Sequence, residues 1–228
     1  DGELLLSSED RRKRWAEHFE KTWNVDTQVS EEVLGRLSRK PVELNMDLPP
    51  LLDELIDAKA EMKGGRAPGE DGVEPDLLKC LDETNTEILH EIMKECWGKP
   101  PTSWRDAIII SLYKGGKKAK TDCDNYRGIS LLSVIGKLYA KIIARRLTNW
   151  AETQSSTEED KLWPEEQCGY RAWRGTLDLI TILQGVQDSF SEAGKELHVC
   201  FVDLKKAFDS VNRHALYQVL EKLGIPPK

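Results

Sequence analysis

The chain has 228 residues, 39% hydrophobic and 32% charged, with a formal net charge of −7. That is enough material to bury a core, as one large domain or two small ones, and it excludes a disordered polyelectrolyte. Apolar runs extend for only a few residues, which excludes a helix long enough to cross a bilayer.

The charge is unevenly spread. Between Trp104 and Leu147 there are ten Lys/Arg against three Asp/Glu, while the preceding segment carries 14 against 24 and the following one 9 against 13. One basic island between acidic flanks could attract polyanions locally, or be a solvated surface. "DGELLLSSEDRRKRW" starts without Met and lacks the basic, apolar and small-residue order of a secretory leader. It reads as a cut, and "EKLGIPPK" ends with a helix, so truncation at both ends is expected. Cys80, Cys96, Cys123, Cys168 and Cys200 are scattered, as are His18, His90, His198 and His214. This spacing argues against a disulfide framework or a zinc site and for a reducing, intracellular setting.

In chain order, residues 8–24 form a charged amphipathic helix with Trp15, Phe19 and Trp23 on one face, expected to pack on a neighbouring helix. A second helix is expected over 51–62, ending at the glycine-rich "KGGRAPGEDG". A third follows Pro75, a fourth covers 86–97, and "GKPPTSW" reads as a rigid turn. Ile108 to Tyr113, β-branched and aromatic, predicts a strand, and the Gly-Gly with three lysines after it predicts a hairpin loop. "SLLSVIGKLYAKIIARRLTNW" has helical spacing, with Ser130 or Ser133 as N-cap and Arg145 and Arg146 near the C-terminus. Residues 152–166 are polar and acidic and read as a loop, and "GTLDLITILQGVQDSF" is again helical. "ELHVCFVDL" reads as a buried strand ending in Asp203, and a last helix with Leu216, Val219, Leu220 and Leu223 stops at Gly224.

An aspartate after an apolar run is most simply a helix N-cap. It could also be a metal ligand or a phosphotransferase nucleophile, but the last would want a second acid two positions on, where Lys205 stands. The wider pattern favours a metal. "FVDLKKAFDSV" resembles the first catalytic motif of reverse transcriptases of non-LTR (LINE-type) retrotransposons. "GGRAPGEDGVEPDLLK" at 64–79, "WRDAIIISLYKGGKKAKTDCDNYRGISLLSVIGKLYAKIIARRL" at 104–147 and "EEQCGYRAWRGTLDLI" at 165–180 are similar to blocks that precede that motif in the same family. Gly128-Ile129-Ser130 and Cys168-Gly169 look closest to the RTE-like branch. Four motifs in the family's order are a specific signal.

The resemblance implies an incomplete α+β fold, helix-rich with a small antiparallel sheet, comprising the fingers and the start of the palm of a right-hand polymerase. Residues 1–50 would be an N-terminal extension, 51–190 fingers-like and 191–228 the start of the palm. It implies RNA-directed DNA synthesis with two Mg²⁺ ions, on an RNA template and a DNA primer or target with dNTPs, in the nucleus or cytoplasm. Asp203 matches the first metal-binding aspartate, with the Leu204 carbonyl as a further ligand. Lys114 and Arg127 match the basic pair facing the triphosphate, and the Lys206 and Ala207 amides would meet it as well. Phe208 matches the steric gate against a ribose 2′-hydroxyl. Lys117, Lys118, Gln167, Arg171 and Arg174 are template-contact candidates, with Lys120 in the same basic loop. Asp209 is expected to cap a helix or join a salt bridge. The family's later aromatic-Ala-Asp-Asp motif does not occur in the chain, so one aspartate stands where two metals need more, and no polymerase activity is expected of these residues alone. The alternative reading is a decayed or co-opted fragment that only binds nucleic acid or a partner.

Overall fold

The computed structural model describes residues 5–24, 29–153, 162–204 and 206–227. The chain divides into two units, one formed by residues 1–144 with 206–228 and the other by 145–205.

In the first unit, α1 (Ser8–Trp23) starts at Ser7, whose hydroxyl accepts from the Glu9 amide. α2 (Glu31–Gly35) and a 3₁₀ turn (Leu44–Asp47) lead to α3 (Leu52–Ala60), α4 (Pro75–Lys79), α5 (Glu83–Glu95) and α6 (Thr102–Arg105). The expected helices at 51–62, after Pro75 and at 86–97 are therefore present. The supposed rigid turn at "GKPPTSW" contains one helical turn, α6. α5 begins three residues earlier than its apolar spacing indicates, because Asp82 accepts from the Asn85 amide and so supplies the cap.

β1 (Ala107–Tyr113) and β2 (Tyr126–Leu132) pair antiparallel, with Ala107 opposite Leu132 and Tyr113 opposite Tyr126. The hairpin was legible from β1 and the Gly-Gly loop. The helical reading of "SLL" was not upheld. Ser130 to Leu132 belong to β2, since their backbone groups find ladder partners on β1. α7 (Val134–Thr153) starts immediately afterwards, and Ser133 rather than Ser130 serves it, accepting from the Gly136 amide at 2.9 Å. Arg145 and Arg146 lie mid-helix, because α7 continues to Thr153. Of the polar stretch expected to form a loop, Glu152 and Thr153 are helical, and residues 154–161 lie outside the described residues.

The core of this unit is Leu55, Ala58, Met62, Leu78, Leu89, Met93, Val134, Leu138 and Ile142, supplied by α3, α4, α5 and α7 and, for Met62, the loop after α3. The i, i+4 spacing of Val134, Leu138 and Ile142 presents one stripe of α7 to the other helices. The loop after α3 approaches the end of β2 so closely that a Cβ on Gly69 would lie 2.5 Å from the Ser133 nitrogen. Ser133 is itself buried. We expect Ser133→Ala to cost about 1 kcal/mol through loss of the helix cap, seen as a lower urea midpoint with an unchanged slope.

α9 (Arg213–Lys222) closes the first unit. Its C-terminal carbonyls are met by the segment after α2. Lys40 donates its amide to the Lys222 carbonyl at 2.7 Å and Glu43 donates to that of Gly224 at 2.8 Å. Arg39 pairs with Glu221, and the Lys222 ammonium donates to the Leu34 carbonyl. Residues 34–43 thus fasten the last helix of a chain they precede by about 180 positions. Gly224 ends α9 with φ +95°, as its position predicts.

The second unit contains the C-terminal part of α7, α8 (Thr176–Glu192) and the segment to Leu204. The expected buried strand at "ELHVCFVDL" is absent. Residues 196–204 have no strand pairing, and Phe201, Val202 and Leu204 are 83%, 83% and 72% exposed. A strand needs a partner for its N–H and C=O groups, and among the described residues the one ladder joins β1 to β2. α8 is left similarly bare at Leu177, Ile180 and Ile182. Among the described residues, no helix is long and apolar enough to cross a membrane.

Candidate functional site

The hairpin has two unlike faces, because side chains alternate along each strand. On one face Tyr113 and Tyr126 sit opposite each other with ring centroids 5.3 Å apart, and Trp15 of α1 meets Tyr126 edge-on at 4.9 Å. Gly128, on the same face, lies against Phe19 and Trp23. The aromatic stripe of α1 therefore packs on a strand and not on a helix as its spacing implied. A glycine opposite the rings leaves a flat backbone surface for them. The other face presents Ile108, Ile110, Leu112 and Ile129, each at least 40% exposed. Arg127 stands opposite Leu112, and alternation places Lys114 beside it. Lys114 prolongs the ladder by donating its amide to the Asn125 carbonyl at 2.9 Å.

The basic loop folds back over the two tyrosines. Tyr113 donates its hydroxyl to the Lys118 carbonyl at 2.5 Å, and Tyr126 donates to that of Lys120 at 2.9 Å. Asn125 donates its side-chain amide to the Ala119 carbonyl. Lys120 places its ammonium 5.7 Å from the Tyr113 ring centre, and Lys117, Lys118 and Lys120 are all exposed. The loop backbone is thereby held while these charges stay in solvent.

Two of the candidate lysines converge on one residue. The Lys114 ammonium donates to the Asp124 carbonyl at 2.5 Å, and the Lys206 ammonium pairs with the Asp124 carboxylate at 3.0 Å. Lys206 also reaches the Thr22 hydroxyl at 3.4 Å. The hydrogen bond and charge of Lys206 hold the Asp124 carboxyl below the usual carboxylate range. A depressed carboxyl contributes above its ordinary range and is lost as pH falls through its folded value. The tie between Lys206 and the hairpin is therefore present at neutral pH and fails only in acid. Burial is the largest influence on His18 beside it and lowers its pKa.

Lys206 has φ +51° and begins a turn through Ser210, whose amide donates to the Lys206 carbonyl at 2.9 Å. Ala207 and Phe208 lie in this turn, exposed. Asp209 is neither a helix cap nor, among the described residues, an ion-pair partner; it accepts from the Trp23 indole at 2.9 Å. The cap of α9 is Asn212, which accepts from the Ala215 amide, so Asp203 does not cap this helix.

In the other unit, Asp203 and Leu204 are exposed in a segment without regular secondary structure. Carboxylate and carbonyl oxygens are donors a hard cation takes. Among the described residues, however, no three or more His, Cys, Asp or Glu side chains are grouped to hold a metal. The donor type fits a hard divalent cation, but among the described residues the donors do not fill a coordination shell. Arg171 donates to both carboxylate oxygens of Glu152, Nε to Oε1 at 3.1 Å and Nη2 to Oε2 at 3.0 Å. Its Nη1 donates to the Pro164 carbonyl, and its guanidinium lies 5.8 Å from the Trp163 ring centre. Gln167 donates to the Gly169 carbonyl, and Arg174 pairs with Glu165.

Of the predicted residues, the structure joins Lys114 and Lys206 through Asp124 and places Arg127 on the face shared with Lys114. Asp124 and Trp23 were not foreseen. The i, i+4 aromatics marked Trp23 as buried surface, but nothing local marks a partner 186 positions away. Asp124, in the turn-forming "DCDN", carries no sign of Lys206.

The reverse transcriptase (RNA-dependent DNA polymerase) family matches residues 116–228. The chain is 26% identical over 99% of its length to a probable RNA-directed DNA polymerase from transposon BS of Drosophila melanogaster. It is 31% identical over 82% of its length to a putative 115 kDa protein of the type-1 retrotransposable element R1DM from the same organism. Over a similar 82% it is 30% identical to the RNA-directed DNA polymerase of the mobile element jockey, also from Drosophila melanogaster. These alignments span 25%, 18% and 20% of the respective relatives, so the chain covers a quarter or less of their length.

Proposed function

Residues 116–228 belong to the reverse transcriptase family found in non-LTR retrotransposons, and from that premise we propose that this chain contributes the nucleotide-approach side of an RNA-directed DNA polymerase. The observation that carries the reading is the convergence of Lys114 and Lys206 on Asp124, with Arg127 on the Lys114 face of the hairpin. An oxygen-rich anion takes the same donors as the Asp124 carboxylate and carbonyl. A deoxynucleoside triphosphate offers more oxygens and more charge, and so competes for both ammonium groups.

In this reading residues 51–190 act as fingers and 191–228 as the start of a palm. Arg127 presents a planar set of donors to phosphate oxygens, and Lys114 adds a point charge beside it. The Lys206 and Ala207 amides contribute from the turn, and Phe208 is assigned the exclusion of a sugar 2′-hydroxyl. Asp203 and the Leu204 carbonyl would supply part of the shell of magnesium. That ion, when bound, stabilises charge on the transferred phosphate and the leaving group. The remaining carboxylates, and strands to pair residues 196–204 and cover α8, would have to come from outside the described residues. Lys117 and Lys118 have free side-chain reach for the template backbone. Gln167 and Arg171 hold the 162–175 segment in shape, and Arg174, in an exposed pair, can exchange Glu165 for a template phosphate.

The test is primer extension. The 228-residue chain with RNA template, DNA primer, dNTPs and magnesium is expected to extend no primer above background. A protein that continues through the aromatic-Ala-Asp-Asp motif is expected to do so. Robust extension by the 228 residues would overturn the assignment of an incomplete metal site.

A further inference from the structure

The turn after Asp203 is closed locally by the Ser210 amide on the Lys206 carbonyl at 2.9 Å. Residues 206–210 are exposed, and the nearest helix is capped by Asn212 without their help. Three long-range contacts hold it as well, and they flank Phe208. Two positions before it, Lys206 reaches Asp124 at 3.0 Å and Thr22 at 3.4 Å. One position after it, Asp209 accepts the Trp23 indole N–H at 2.9 Å. Trp23 is itself well placed to act as a fixed point. Its ring stacks on Phe19 with centroids 5.0 Å apart and planes 24° from parallel. A Cβ on Gly128 would meet the Trp23 ring at 2.9 Å and the Phe19 ring at 2.7 Å, so the strand backbone lies flush against both.

We infer that Trp23, through Asp209, is a positioning residue for Phe208, so that α1 sets how strictly the site rejects a ribonucleotide. This rests on the proposed role of Phe208 as the sugar gate. An indole N–H to a carboxylate is a directional bond, and the bracing ring cannot slide without opening its stack on Phe19. Loss of the bond frees the turn to pivot at its Lys206 end, and the Phe208 ring then leaves room for a 2′-hydroxyl. The hairpin enters the same device, because Gly128 admits the ring that makes the bond.

The experiment has two parts. In the 228-residue chain, hydrogen exchange of the 206–211 amides is measured for wild type, Trp23→Phe, Asp209→Ala and Asp209→Asn. Trp23→Phe keeps a ring and removes the donor; Asp209→Asn keeps an acceptor. Trp23→Phe and Asp209→Ala are expected to exchange about fivefold faster, the loss of one net hydrogen bond, with Asp209→Asn close to wild type. In the longer polymerase, kcat/KM is measured for a dNTP and its matching rNTP. The same two variants are expected to lose several-fold in discrimination while Asp209→Asn recovers it. Unchanged exchange in both variants would overturn the brace. Faster exchange with equal losses for dNTP and rNTP would overturn the positioning role and leave a merely structural contact. Failure of the gate itself is read separately from Phe208→Ala, whose discrimination does not depend on Trp23 having been altered.

Discussion

In the longer polymerase, Asp203→Asn is expected to lower RNA-templated DNA synthesis by more than about 100-fold while template affinity stays within about twofold. Substitutions that only orient a metal ligand cost about 10–100-fold, and replacing the ligand itself should exceed that range. The amide keeps the shape of the carboxylate and removes its charge, so a hard cation loses an anionic oxygen and the site loses part of the reason to hold it. Asp203 is exposed, and among the described residues no hydrogen bond or ion pair depends on it. The change should therefore leave stability within about 0.5 kcal/mol, as for other surface positions. Single-turnover extension gives the synthetic rate, and fluorescence anisotropy with labelled RNA–DNA hybrid gives affinity. Synthesis within tenfold of wild type would sink the metal assignment. Equal loss of affinity and synthesis would place Asp203 in template binding instead.

Phe208→Ala carries the second large effect. An apolar wall discriminates against an added hydroxyl by roughly 100-fold, and most of that should disappear when the ring is cut to a methyl group. Phe208 is 75% exposed. Incorporation of dNTPs should stay within a few-fold, whereas rNTP incorporation rises. The separation of these two outcomes is what identifies a gate, since a misfolded turn would depress both. An unchanged dNTP to rNTP ratio would remove Phe208 from the sugar site.

Most of the helices were legible because each rests on its own local periodicity. Leu51 to Ala60, Ile88 to Met93 and the stripe Val134, Leu138 and Ile142 each place apolar residues on one helical face. The Gly-Gly of the basic loop announced the hairpin. Misreadings arose where a partner decided the outcome. Ser130 to Leu132 follow a helical pattern that runs on into α7, yet β1 offers them a ladder and they take it. "ELHVCFVDL" has the composition of a strand, but composition cannot supply the neighbour that a strand requires. Trp15, Phe19 and Trp23 declared an aromatic face without declaring what it would cover.

The site divides in the same way. Asp203, Phe208, Lys114 and Arg127 were singled out by the resemblance of their motifs to those of the family, a signal that linear sequence carries. Asp124 and Trp23 did not, because their importance lies in contacts with Lys206 and Asp209, 82 and 186 positions away. By itself, the sequence determined where the chain coils into helices, where it turns back and which family it resembles. The tertiary structure alone decided that the two lysines meet at Asp124 and that an indole braces the turn beside Phe208. The physical reason is that backbone preference acts over a few residues and leaves its trace in local composition. A long-range hydrogen bond or ion pair depends on which surfaces packing brings together, and neither partner carries the address of the other.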